Sequence, residues 1–568
     1  MKHPIKLLLI LLLICVPALA CADVLTDFYI TKESGANLTA DGRPVDYIYP
    51  YVKSNGKCYL LLPHGMDATR LMYVAKEGVE YYIDGELLAS GTLTDKFVPG
   101  ETLDLYNAKG KKAKSITVMQ GSNISALFLV SESGSMKKIN GKKDDWETGN
   151  ALWLKADGET YADKLTSLKK RGNSSGAYPK KSYRIKFDKK VDLTGGGRAK
   201  TWELLANYMD ISHLRNRITL DMAAYVGLPY TTDCEAVDVY ALGEYLGLYL
   251  LTERIQIDDA RIDITDLGEE NEFANPNPPE TYETFIIGDK NASLPIVKGY
   301  RLESEPEDIT GGYVVEVEKP HRFNGWEDNG FKTQLGMTMI VKEPEYASEN
   351  ELRYIGEIFN AFHRAIVAKD GIDPVTGAYY LERFDLDSLV KKYMLEEISK
   401  NYDAHSSSQF FYKDKDSVDK MVYSGPAWDY DLTYGLFSED PFLTARNPQS
   451  LFLHNNNRKH LMYNHLYKHA DFKAHLLQVY HSDYRPALET LLGLREPREG
   501  YHLTSIDSYA AEIAASAQMN GAVWRVNSEK GFETKSGTDF EKAVVFLKDY
   551  LMKRMVFLNT EWAMPNAD

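Results

Sequence analysis

The sequence predicts an α+β protein: a small β-sandwich, then a larger domain whose strands come first and whose helices come last. Three observations predict this. From Asp23 to about Ser122, short apolar runs alternate with Gly, Asp and Asn punctuation, the pattern of a sandwich. From Ile124 to about residue 345, strand-sized runs continue at longer intervals. After Ser348 the apolar spacing becomes helical, as in "ENELRYIGEIFNAFHRAIVAK". Strands followed by helices make an α+β arrangement, with a cleft expected between the halves. No internal repeat is evident.

The first 22 residues read as an export signal. Lys2 and Lys6 precede the apolar core Leu7–Val16, which is too short to span a bilayer. Small residues place cleavage near Ala20–Ala22, so the mature chain is expected to be secreted or at the cell surface. Cys21 after Ala20 also suits a lipoprotein anchor, but Ala18 and Leu19 are reversed relative to the usual lipobox, which favours simple cleavage. No later run is long and apolar enough to predict a transmembrane span. Four cysteines in 568 residues are too few for a disulfide framework, so the core must be self-sufficient. With 82 acidic against 66 basic side chains and a net charge of -16, the chain lacks the basic footprint of a nucleic-acid binder.

Within residues 23–122, "KCYLLLP", "EGVEYYIDGELLASG", "ETLDLYN" and "AKSITVMQ" are the sandwich strands of an immunoglobulin-like spacer or adhesion module. Residues 123–568 form the second domain, strand-rich over about 123–345 and helix-rich over about 346–568. "CEAVDVYALGEYLGLYLLTERI" predicts a hairpin turning at Gly243-Glu244, and "GGYVVEVEK" a strand with Glu316 and Glu318 on one face. The acidic, Pro/Asn-rich stretch Leu267–Glu280 suggests a surface loop. "DLDSLVKKYMLEEISKNY" and "FEKAVVFLKDYLMKRMVFLNTEW" predict later helices.

Gly172-Asn173-Ser174-Ser175-Gly176 fits the G-x-S-x-G pattern of a hydrolase elbow, which needs a strand before Ser174 and a helix after it. Here Pro179 and the alternating run "SYRIKF" follow, so the context is strand, turn, strand, and the elbow is rejected. A small-residue turn flanked by cations instead suits an anion, with backbone N–H groups beside a polyphosphate. Lys186 is the favoured cation on that strand, with Arg171 and Arg184 as lesser candidates. Glu253 and Glu316 interrupt apolar strands and are candidates to hold the lysine. Asp210, Arg215 and Asn216 read as a helix cap with an internal salt bridge, His405 as loop surface and Gly195-Gly196-Gly197 as a flexible turn.

Two acidic turns complete the pattern. "KNYDAHSSSQFFYKD" carries Asp403 with Ser408 five positions on, and "WDYDLTYG" carries Asp429 and Asp431. Separated acidic turns of this kind can converge on Mg2+, which takes carboxylates and phosphate oxygens. Protein kinases use such a layout: a catalytic Asp, then a metal-binding Asn, then a metal-binding Asp close to a Gly.

The segments "KRGNSSGAYPKKSYRIKF", "WELLANYMDISHLRNRI", "GEYLGLYLLTERI", "GGYVVEVE", "NYDAHSSSQFFYKD" and "AWDYDLTYG" resemble, in order, those of the CotH kinase family. These are secreted, atypical protein kinases named for a bacterial spore-coat protein. The resemblance covers about Ile124 to Gly435 and extends to the helical remainder. It implies a divergent two-lobed kinase-like fold and ATP-dependent, Mg2+- or Mn2+-dependent phosphorylation of protein substrates outside the cytoplasm. Asp403 matches the family's catalytic aspartate and Asp429 its metal-binding aspartate, with Asp431 assisting. Ser408 stands where typical kinases have a metal-binding Asn, and Glu318 where the family often has Asp. Two rivals remain: a metal-dependent sugar-nucleotide transferase, which requires a doubly wound domain, and a non-catalytic kinase-like surface scaffold.

Overall fold

Turn residues and alternation set the N-terminal strands. The computed structural model describes residues 23–32, 39, 42–142, 144–173, 175–436, 446–453, 461–524 and 539–564. Residues 1–22, where the export signal and Cys21 are expected, and Ser174 lie outside the described residues. Cys58–Leu62, Thr102–Tyr106 and Lys112–Gln120 belong to a seven-stranded sheet, while Phe28–Lys32, Leu71–Ala75 and Thr92–Thr94 form a three-stranded one. Phe28, Ile30, Tyr73, Leu60, Leu105 and Val118 are buried together. That cluster continues through Phe128, Leu152 and Tyr240 of the next unit, where the Phe128 and Tyr240 rings stack at 4.7 Å.

The next unit is a closed barrel in the order Ser125–Ser131, Trp146–Leu154, Thr160–Arg171, Ser182–Val191, Ala199–Leu205, Glu244–Glu253 and Cys234–Ala241. Parallel pairing of Ser125–Ser131 with Cys234–Ala241 closes it, so no edge is left open. Along Ser182–Val191 the pleat turns Tyr183, Ile185 and Phe187 into the core and leaves Arg184 and Lys186 outside. The expected hairpin is present, but its turn lies one residue earlier than Gly243-Glu244: Glu244 pairs with Ala241, and Leu242 (φ 51°) and Gly243 (φ 81°) make the turn. Glycine is required at 243 on a second count, since a Cβ there would meet the Tyr47 ring at 2.3 Å.

A second seven-stranded sheet runs Thr284–Gly288, Ile296–Tyr300, Gly330–Lys332, Thr338–Glu343, Tyr313–Val317, Gln409–Lys413 and Val422–Ser424. It draws strands from both sides of residue 345, where the sequence pattern turns helical. Helix Glu349–Val367 packs on it through Leu352, Ile355 and Phe359 against Phe331 and Phe411. Ser348 and Glu351 cap that helix reciprocally, satisfying two otherwise orphaned N–H groups. The stretch from Leu267, expected to be loop, instead forms helix Leu267–Ala274. Asp266 accepts from Glu269 N–H at its start, and Glu269 and Glu270 favour the dipole there. Helices Leu386–Ser399, Ile506–Val523 and Phe540–Glu561 complete the helix-rich end. The protein is thus mixed α+β with a β-rich N-terminal part. Among the described residues no helix is long and apolar enough to cross a membrane, and Cys58 and Cys234 are buried free thiols.

Helix Ile506–Val523 returns to the barrel at a buried polar junction. Asp238 accepts from Tyr245 Oη and Ser516 Oγ, each at 2.7 Å, and Ser516 Oγ also accepts from Ser122 N–H. Burial pushes the Asp238 carboxyl up to about 6 against these hydrogen bonds. The folded state therefore holds this proton more tightly than the unfolded chain. Its contribution to stability is greatest below the unfolded value near 4 and is lost as pH rises to about 6. The difference in unfolding free energy between wild type and Asp238→Asn should shift against the wild type across that window, by urea melts at pH 4 to 7. A difference independent of pH would contradict this.

Candidate active-site cleft

A cleft of about 470 Å³ is walled by Arg171, Arg184 and Glu203 of the barrel on one side and by Glu316, Lys342 and Phe410 of the second sheet on the other. Both acidic turns open into it. Lys400 ends helix Leu386–Ser399 in the left-handed region (φ 49°), and Asn401 then accepts from Asp403 N–H at 3.0 Å, fixing a tight turn. Asp403 Oδ1 lies 2.7 Å from Lys319 Nζ.

Asp429 and Ser408 both sit at positive φ, 71° and 58°. Such backbone costs of order 1–3 kcal/mol per residue and persists only where surroundings over-determine it. Those surroundings are present. Ser408 Oγ donates to Asp429 Oδ2 at 3.0 Å, and Tyr430 N–H donates to Asn216 Oδ1 at 2.7 Å. Arg215 Nε donates to the Thr433 carbonyl at 2.9 Å, while its Nη1 pairs with Asp210. The expected salt bridge of Asp210 and Arg215 is therefore present, but Leu214 occupies the N-cap position and no side chain caps there. Asp210 instead accepts from the Arg215 N–H at 2.9 Å, and with Asn216 this group clamps the turn that carries Asp429 and Asp431.

The cluster is only partly compensated, by Lys319 and Arg171. Burial, then the neighbouring Asp403 charge, raises the Asp429 carboxyl, with Arg171 pulling it back. Burial and the charges of Asp429, Asp210 and Asp403 push Asp431 well up. Carboxylates so placed suit a hard divalent cation. Among the described residues no three Asp, Glu, His or Cys side chains form a ready-made cage. Mg2+ does not need one, because it commonly takes one or two carboxylates and completes its shell with water and substrate phosphates.

The cations are arranged differently from the sequence expectation. Lys186 is exposed and lies outside the cleft lining, so the structure does not bring it to Asp429. Arg184, two residues earlier on the same face, does reach the cleft. Arg184 Nε and Arg171 Nε lie 2.7 and 2.9 Å from the two carboxylate oxygens of Glu203, which is 1% exposed. Arg171 also faces the Trp428 ring at 5.5 Å, beside Asp429. Glu253 serves elsewhere: it pairs with Arg261 at 2.6 Å beside a separate cavity that includes Gly195 and Gly196. Glu316 does line the cleft, 3.6 Å from Lys342, and burial pushes it up to about 7. Glu318 is buried, bonded by Arg322 and by Ser407 Oγ at 3.1 Å.

Two residues that sequence reasoning missed are central here. Glu203 interrupts the apolar run "TWELL" just as Glu253 and Glu316 interrupt theirs, so the signal was present. Lys319 closes "GGYVVEVEK", and nothing local marks it. The Gly/Ser turn enters the cleft through Gly172, Asn173, Ser175 and Tyr178. Lys180 also lines the cleft but is a buried post: its Nζ donates to the carbonyls of Ala206 and Leu248 and to Asn520 Oδ1. Nothing is described of the His405 side chain.

A family model described as CotH kinase protein matches residues 168–558, most of the chain and every cleft residue named above. No curated protein matches the chain. Among solved structures, a Bacteroides thetaiotaomicron protein provisionally assigned as a glycoside hydrolase aligns at 11% identity and a TM-score of 0.12, covering 59% of this chain and 86% of that one. A likeness that low carries no argument.

Proposed function

The chain belongs to the CotH kinase family, and on that premise we propose that it is a secreted, ATP- and metal-dependent protein kinase. It transfers the γ-phosphoryl group of ATP to protein hydroxyls outside the cytoplasm, with the barrel and the second sheet with its helices as its two lobes. One observation carries this reading: Asp403, Asp429, Asp431, Arg171 and Lys319 meet in one cleft between those two units.

Phosphoryl transfer is mostly positioning and charge neutralisation, and the residues divide accordingly. Asp429, oriented by Ser408, would hold Mg2+ or Mn2+, with Asp431 assisting. The bound metal supplies positive charge on the phosphate oxygens. Arg171, fixed by Glu203 and Trp428, presents a guanidinium to the phosphates, and Arg184 shares that glutamate. Lys319, paired with Asp403 in the same cleft, would add positive charge near the transferring group. Asp403 orients the acceptor hydroxyl and takes its proton. The Gly172 turn offers backbone N–H groups, and Glu316 lines the wall with Lys342.

Incubating the purified chain with γ-labelled ATP, Mg2+ or Mn2+ and casein tests the reading. Metal-dependent label on protein is expected, and no label under any of these conditions overturns it. A subsidiary outcome concerns the cations. Arg171→Ala should weaken ATP binding about tenfold or more by titration calorimetry, because a charge-assisted contact is lost, whereas Lys186→Ala should change it less than twofold. The reverse order would restore Lys186 to the site.

A further inference from the structure

We propose that Tyr178 is itself a phosphate acceptor of this site, modified within its own chain. The inference rests on the kinase reading above and names one substrate for it. Tyr178 is half-buried in the cleft wall, in the same lining as Asp403, Asp429 and Asp431. Its hydroxyl has no hydrogen-bond partner among the described residues. Burial, then the nearby Asp431, Asp429 and Asp403 charges, raise the phenol. Tyr178 thus shares one cleft lining with the carboxylates that would hold the metal and take the acceptor proton.

The loop holds it there. Tyr178 N–H donates to the Ser175 carbonyl at 3.1 Å across the single turn Ser175–Ala177, and Lys181 Nζ bonds the Gly176 carbonyl at 3.0 Å. The Tyr178 ring packs on Tyr208 with centroids 5.5 Å apart. Lys180, two residues on, is pinned in the barrel wall. Ser175 is the poorer acceptor in this loop. Its Oγ folds back over Gly172, 2.2 Å from where a Cβ would stand, so it faces its own turn. Gly172, at φ 93°, leaves room for that fold.

The reaction is balanced by the groups already named. The phenolic oxygen bonds the γ-phosphorus of ATP, and the bond from that phosphorus to the β–γ bridging oxygen breaks. ADP leaves, and the phenolic proton passes to Asp403.

The test uses the full chain with ATP and Mg2+, tryptic digestion and mass spectrometry of Gly172–Lys180, the peptide that carries Ser174, Ser175 and Tyr178. Phosphotyrosine at 178 is expected. It should form at a rate per molecule unchanged over a tenfold dilution of protein, and fall at least tenfold in Asp429→Asn. Tyr178→Phe should lose the alkali-stable label on this peptide. Phosphate on casein with Tyr178 unmodified, phosphate on Ser174 or Ser175 instead, or a rate proportional to protein concentration would overturn the inference and leave the kinase reading standing. No transfer to any acceptor would overturn both.

Discussion

Asp429→Asn should lower phosphoryl transfer by about a thousandfold or more, equivalent to roughly 4 kcal/mol of barrier, while leaving the protein folded. Asn keeps the shape but loses the anionic oxygens that hold a divalent metal on the phosphates. Asp403→Ala should lose about 10²–10⁴-fold, the usual contribution of a positioned general base. The two variants should differ in binding: metal-dependent ATP affinity falls in Asp429→Asn and is largely kept in Asp403→Ala. Stability moves in the opposite sense to activity for Asp429→Asn. Burial and the Asp403 charge already oppose ionisation of that carboxylate, so its removal should leave the melting temperature at neutral pH unchanged or higher. Wild-type turnover in either variant would remove the mechanism, whatever the family.

The largest stability loss is expected from Arg554→Met. Arg554 lies on the last helix and is fully buried with Glu397 of helix Leu386–Ser399, the helix that leads into the Asp403 turn. Its Nη2 pairs with Glu397 Oε1 and donates to the Glu397 carbonyl at 2.7 Å, and its Nη1 donates to the carbonyls of Pro448 and Ser450 at 3.0 and 2.7 Å. Glu397 in turn accepts from the N–H groups of Phe452 and Leu453, each at 2.7 Å. Removing the cation strips a buried carboxylate of its counter-charge and takes a donor from three carbonyls. Breaking a buried pair on one side costs about 3–5 kcal/mol. Adding Glu397→Gln should recover part of that loss, because the stranded charge is gone. Urea unfolding of the two variants measures it, and a loss under 1 kcal/mol in Arg554→Met would show that the pair contributes little.

What could be read from the sequence was local. The hairpin of the two strands around Gly243, the helical pattern after Ser348, and the inward and outward faces of Ser182–Val191 follow from turn residues, apolar spacing and alternation, whereas the turn's place at Leu242-Gly243 does not. Two acidic turns at kinase-like spacing brought Asp403 and Asp429 into view, and the structure places both in one cleft. What could not be read was non-local. Alternation assigns Arg184 and Lys186 to one face but does not say which end of the strand meets the cleft. Two residues along a strand is about 6.6 Å, enough to put Arg184 inside and Lys186 outside. Glu203, Glu253 and Glu316 give the same local signal. Only the register that sets Arg184 opposite Glu203 distinguishes them. Lys319 meets Asp403 across 84 residues. The strand Gln409–Lys413 is buried on both faces, so it shows no alternation and is concealed among the helices that surround it in sequence.

Asp429 and Arg171 should share one metal–phosphate site. A crystal structure of the full chain with Mn2+ and a non-hydrolysable ATP analogue, the metal located by anomalous scattering, tests this. A manganese peak is expected at coordination distance from Asp429, with the analogue's phosphates within hydrogen-bonding reach of Arg171. Manganese bound away from Asp429, or phosphates lying along the outer strand by Lys186, would contradict it.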